Sequence, residues 1–66
     1  MNILLNGESR PLSSGTQLAQ LVNELGLEGK RLAVEVNREI IPRSQYANTE
    51  LKNGDTIEIV HAIGGG

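Results

Sequence analysis

The sequence has no cysteine, tryptophan or phenylalanine, and its one aromatic residue is Tyr46. Without cysteine there are no disulfides, no thiolate metal sites and no thiol catalysis. Without a set of aromatics there is no platform on which unpaired bases could stack. The six basic residues, Arg10, Lys30, Arg31, Arg38, Arg43 and Lys52, form no run, and eight acidic residues leave a net charge of −2. Nucleic-acid binding therefore has little support. No apolar stretch approaches the roughly 20 residues of a membrane span. Met1 to Arg10 also lack the basic and long apolar segments of a signal peptide. The expectation is a soluble cytoplasmic domain with no membrane or nucleic-acid partner, monomeric when free.

With 66 residues the chain has room for one small core. A chain this short buries only about 60% of its unfolded surface, so its stability margin is thin. A deep substrate pocket would consume the apolar residues that the core needs. A carrier or binding role, without resident cofactor or metal, is expected ahead of an enzyme.

What is present is well punctuated. Asn2-Ile3-Leu4-Leu5 is a short apolar run ended by Asn6-Gly7, the two-residue signal of a type I′ hairpin turn. A second strand over about Glu8 to Leu12 should fold back on the first, and Pro11, lacking a donor, suits an edge. Leu18, Leu21, Val22 and Leu25 then fall at i, i+3, i+4 and i+7, one stripe of an α-helix of about ten residues. Thr16 is the expected N-cap, with Ser14 and Gln17 as an alternative capping box, and Gly26 stands where a left-handed C-cap residue belongs. Burial of the four apolar side chains contributes roughly 6–12 kcal/mol before entropy is subtracted.

Leu32-Ala33-Val34-Glu35-Val36 reads as a third strand, with Leu32, Val34 and Val36 on one face. Asn37-Arg38 makes a turn into a short strand, Glu39-Ile40-Ile41, stopped by Pro42. Ser44 to Asn48 should form one helical turn. Lys52-Asn53-Gly54-Asp55 is another turn, and Thr56 to Val60 the last strand, with Ile57 and Ile59 facing the core. One helix cannot cover both faces of a sheet, so the expected fold is α+β: a mixed sheet of four to five strands with one main helix on one face. The first and last strands would lie parallel at its centre, the ubiquitin-like β-grasp. The expected boundaries are a domain over residues 1–63 and a flexible glycine tail over 64–66.

The tail is where the sequence speaks about chemistry. Gly64-Gly65-Gly66 packs nothing and loses much entropy on ordering, yet follows directly on a strand that the core requires. Ala62 to Gly66 fully extended would reach about 17 Å, enough to enter a partner's active-site channel with Ile63, Gly64 and Gly65 threading it. The reactive group would be the Gly66 carboxylate. A carboxylate with a pKa near ~3.5 is a poor acyl donor until activated. A partner enzyme that transferred AMP from ATP would turn it into an acyl-adenylate, from which a sulfur nucleophile would displace AMP and leave a thiocarboxylate. Positioning and charge stabilisation would come from that partner.

Leu4, Ala33 and Val60 share the parity opposite to the core residues, and with Glu58 and Glu35 beside them they are read as a docking surface on the open face of the sheet. His61, the only histidine, has no cysteine or second histidine to act with and is read as a polar residue near a strand end. Tyr46 is expected to lay its ring over the core edge with its hydroxyl wet. Arg43, Lys30 and Lys52 receive structural readings.

The residues Ile3-Leu4-Leu5-Asn6-Gly7, Gly15-Thr16, Leu21 with Leu25, Ala33-Val34-Glu35-Val36-Asn37, Ile41-Pro42-Arg43, Leu51-Lys52-Asn53-Gly54-Asp55, Ile57-Glu58-Ile59-Val60 and the final glycines follow one another at characteristic spacing. In this the chain resembles the ThiS family, the sulfur carriers of thiamine biosynthesis, over essentially its whole length. The resemblance implies adenylation of Gly66 by a ThiF-like adenylyltransferase that uses ATP, conversion to a thiocarboxylate with a sulfur-donor enzyme, and delivery of the sulfur to thiazole synthase, ThiG. Gly65 and Gly66 match the family's terminal pair and Gly64 extends it. The molybdopterin-type carriers share fold and tail chemistry but are usually longer. A ubiquitin-like modifier, which would acylate lysines from the same adenylate, and a plain β-grasp interaction module remain alternatives.

Overall fold

The structure is a computed structural model that describes residues 1–61. The chain runs β1 (Asn2–Leu5), β2 (Glu8–Pro11), α1 (Leu18–Glu24), β3 (Leu32–Val36), β4 (Glu39–Ile40), a 3₁₀ helix (Arg43–Asn48) and β5 (Thr56–His61). The five strands form one sheet in the order β2-β1-β5-β3-β4. β1 and β5 are parallel neighbours at its centre, and the other pairings are antiparallel. This is the expected β-grasp.

The tight turns follow from residues that accept positive φ. Asn6 and Gly7, at φ 50° and 85°, close the β1–β2 hairpin and bring Leu5 opposite Glu8. Asn37 and Arg38, at φ 52° and 69°, do the same for β3 and β4, and Val36 faces Glu39. Pro11 ends the edge strand β2, where its missing donor costs the ladder least.

Helix α1 is shorter than its sequence stripe and starts later. Thr16 is not the N-cap; that position is Gln17, whose own side chain makes no capping bond. The reason is long-range. Gln17 is extended and bridges to Glu50 in the loop after the 3₁₀ helix, through Leu18 N–H to the Thr49 carbonyl (2.8 Å) and Leu51 N–H to the Thr16 carbonyl (2.9 Å). Thr16 is buried and turns its hydroxyl to the Ser13 carbonyl at 2.7 Å. The first turn of α1 is tied instead by Gln20, whose Oε1 accepts from the Gln17 N–H at 2.8 Å. The C-terminus is as expected: Gly26, at φ 73°, follows the C-cap Leu25. The Gly26 and Leu27 N–H groups return to the carbonyls of Asn23 and Val22.

The core lies between this helix and one face of the sheet. It is built from Ile3, Leu12, Leu18, Leu21, Val22, Val34, Tyr46, Leu51, Ile57 and Ile59. Leu25, the fourth residue of the helical stripe, is only half-buried. Tyr46 is buried within the core cluster and does not merely lie over its edge. The six-residue 3₁₀ helix carries it against α1, a packing between distant segments that local sequence does not announce. The opposite face of the sheet has no layer upon it among the described residues.

Candidate functional site

Alternation along the strands decides what the open face presents. Ile57 and Ile59 of β5 point into the core, so Thr56, Glu58 and Val60 point away from it. The antiparallel register sets Val60 directly opposite Ala33 and Glu58 directly opposite Glu35. Ala33 is exposed and Val60 is 66% exposed, so the two form a small apolar pair on open ground. Leu4 shares the face and is 43% exposed, but it lies beside Thr56 in the parallel β1–β5 ladder. Four residues of strand separate Thr56 from Val60, about 13 Å. Leu4 is therefore on the same face as Val60 and Ala33 but at the other end of β5, with Glu58 between.

Sequence reading missed one residue of this face. Ile40 is opposite Glu35 and is 76% exposed, the most exposed large apolar side chain among the described residues. The signal was available: a two-residue Asn37-Arg38 turn fixes the register Val36–Glu39, Glu35–Ile40 and so the side on which Ile40 emerges. Glu35 thus stands between Ile40 on one strand and Glu58 on the other. Two carboxylates directly across an antiparallel ladder repel each other. The face as a whole is apolar at Leu4, Val60, Ala33 and Ile40 and acidic along its middle.

His61 ends β5 opposite Leu32 and is exposed. Among the described residues no group of three or more His, Cys, Asp or Glu is placed to hold a metal ion. Ile63, Gly64, Gly65 and Gly66, together with the expected boundary after residue 63, lie outside the described residues. What the structure does place is the end of β5, which is held at the centre of the sheet and carries the Val60–Ala33 pair next to the point where the tail begins.

On the other side of the molecule, a recess of about 160 Å³ lies between α1 and the 3₁₀ helix, lined by Ala19, Val22, Glu28, Gly29, Arg43 and Tyr46. The Arg43 guanidinium donates to the Lys30 carbonyl and so bridges the loop after α1 to the 3₁₀ helix. This is a structural role, as the sequence suggested for Arg43. No helix among the described residues is long and apolar enough to cross a membrane.

Comparison with known proteins places this arrangement. A solved structure of a thiamine biosynthesis protein (ThiS) from Geobacter metallireducens superposes with a TM-score of 0.84 at 28% identity, over 100% of both chains. The sulfur carrier protein ThiS of Bacillus subtilis is 43% identical over 63 residues, covering 94% of this chain and 96% of that one. A thiazole synthase of Paramagnetospirillum magneticum is 44% identical over all 66 residues, which make up 20% of its length. A second thiazole synthase, from Magnetococcus marinus, is 42% identical over a segment that is again 20% of the relative. The chain thus spans about one fifth of these two synthases and nearly the whole of the small carrier. The ThiS family model matches residues 3–66, from the first strand through the glycines, and the chain belongs to the ThiS family.

Proposed function

We propose that this chain carries sulfur for thiazole formation in thiamine biosynthesis, as a protein co-substrate and not as a catalyst. In this reading the Gly66 carboxylate attacks the α-phosphate of ATP in a ThiF-like adenylyltransferase. Pyrophosphate leaves and an acyl-adenylate forms. Sulfur delivered by a donor enzyme at the sulfide level (HS⁻) then adds to the acyl carbon, and AMP departs with the electron pair of the broken C–O bond to leave a thiocarboxylate. Thiazole synthase is the acceptor of that sulfur.

The observation that carries the reading is that the family match runs through Gly66, five residues beyond the last described strand residue, His61. The core needs β5, and nothing in the core needs three glycines. Two relatives named thiazole synthase contain a segment like this chain, which supports thiazole synthase as the partner. The open face, with Leu4, Ala33, Val60 and Glu58, is the proposed docking surface, and Ile40 joins it. A carrier must be recognised by its body, because three glycines offer a partner little to bind.

The test is intact mass spectrometry after incubation with ATP, a ThiF-like adenylyltransferase and a sulfur source. The expected result is a mass gain of one sulfur in place of one oxygen, localised to Gly66 and lost when Gly65 and Gly66 are deleted. An unchanged mass, with an adenylyltransferase active on its own carrier, would leave an interaction module as the better account. Isopeptide-linked conjugates without a thiocarboxylate would favour a protein modifier.

A further inference from the structure

The ladder between β1 and β5 is short. Paired residues are Leu4 with Thr56 and Leu5 with Ile57, and β1 then turns away through Asn6-Gly7 into β2. β5 continues for four more residues, to His61. On its β3 side the strand is paired to the end, through Ile59–Val34, Val60–Ala33 and His61–Leu32. On its β1 side the last backbone bond among the described residues is that of the Asn6 N–H, which donates to the Ile57 carbonyl at 2.8 Å.

The Asn6 side chain fills that gap. Its Oδ1 accepts from the Ile59 N–H at 2.9 Å, and its Nδ2 donates to the Ile59 carbonyl at 3.3 Å. A carboxamide has the same donor and acceptor as a peptide unit, and here it serves as one more rung of the parallel ladder. Asparagine suits the position twice over, since Asn6 also sits at φ 50°, where it is among the few side-chain-bearing residues that are readily accommodated. One residue thus turns the hairpin and ties the end of the neighbouring strand.

We propose that Asn6 is a positioning residue for the reactive tail: its carboxamide holds β5 at Ile59 and so fixes the direction in which the chain leaves the sheet after His61. The inference rests on the carrier reading above. A tail that must thread a partner's channel gains from a fixed point of departure, because misplacement by about 1 Å at a reacting group can cost on the order of a hundred-fold in rate. The clamp lies two residues before the end of β5, and the apolar docking pair begins one residue after it.

The Asn6→Gly variant removes the carboxamide while keeping a residue that accepts positive φ. Asn6→Asp keeps an acceptor for the Ile59 N–H but sets a second carboxylate oxygen against the Ile59 carbonyl. Two readouts are taken on the full chain. Amide exchange by NMR should rise about ten-fold or more at Ile59, with the Val60 amide retaining its protection. With a ThiF-like adenylyltransferase, kcat of ATP–pyrophosphate exchange should fall roughly three- to ten-fold while KM for the carrier stays within two-fold. A purely structural role would leave that split unmoved.

Faster exchange at Ile59 with unchanged kcat would overturn the proposal and leave the carrier reading intact. Unchanged exchange at Ile59 would overturn it as well, and so would a rise in KM at constant kcat, which would put Asn6 on the docking surface. Should Asn6→Gly fail to fold, Asn6→Asp decides by the same two measurements. A wild-type chain that is not adenylated at all overturns both the carrier reading and the use proposed for the clamp.

Discussion

Arg38 is held at φ 69°, in the left-handed region, where a residue with a Cβ carries a cost of about 1–2 kcal/mol. Among the described residues its side chain makes no hydrogen bond or ion pair that would offset this. Its partner in the turn, Asn37, is well placed: Asn37 Oδ1 accepts from the Thr56 N–H at 3.0 Å and its Nδ2 donates to Asp55 at 3.0 Å. The β3–β4 turn is thus specified by Asn37, and Arg38 is merely tolerated. Arg38→Gly relieves the strain and adds an unfolded-state entropy cost of roughly 0.5–1 kcal/mol, so a net stabilisation of about 0.5–1 kcal/mol is expected. In a domain of this size that raises Tm by about 2–8 °C. A thermal melt or urea titration checks it, and a lower Tm would mean that the arginine contributes something the geometry does not account for.

The elements show which interactions carry the fold and which were legible beforehand. Leu18 and Leu21 are fully buried in α1 while Leu25 of the same stripe is half-exposed, so equal truncations should have unequal cost. Leu18→Ala should cost about 2–5 kcal/mol, comparable to the whole stability of a domain this small. Leu25→Ala should cost clearly less, as urea midpoints would show. The strands and hairpins could be read from sequence because their causes are local: Asn6-Gly7 and Asn53-Gly54 announce turns, and alternation assigns faces. The start of α1 could not, because Thr16 and Gln17 are captured by Thr49 and Leu51, more than thirty residues away. Burial of Tyr46 depends equally on a distant contact, that of the 3₁₀ helix with α1. The candidate surface was partly legible. Parity gave Leu4, Ala33 and Val60 their common face, but the short β1–β5 ladder, which sets Leu4 beside Thr56, is a matter of register, and Ile40 emerged only once that of β4 was fixed.

At the scale of the whole molecule, one face of the sheet builds the core and the other keeps apolar and like-charged groups together in water. Glu35 and Glu58 directly opposite each other destabilise the free protein. Such a pair becomes favourable only when cationic side chains are set against it, which is how a partner surface could be selected. Glu58→Gln should therefore stabilise the isolated chain by roughly 0.2–1 kcal/mol and, if this face is the proposed docking surface, raise KM with the proposed adenylyltransferase. Opposite signs of that kind separate a docking residue from a structural one. Val60→Lys tests the apolar part of the same surface. Val60 is 66% exposed, so its replacement should leave Tm nearly unchanged. If the partner buries it beside Ala33, KM should rise by about ten-fold or more with kcat retained. Leu4→Glu, some 13 Å along the sheet, marks how far the contact extends: a matching rise in KM means that the partner covers β1 as well as the end of β5. Normal adenylation of both variants would mean that recognition does not use this face, and the Glu35–Glu58 repulsion would then have no partner to explain it.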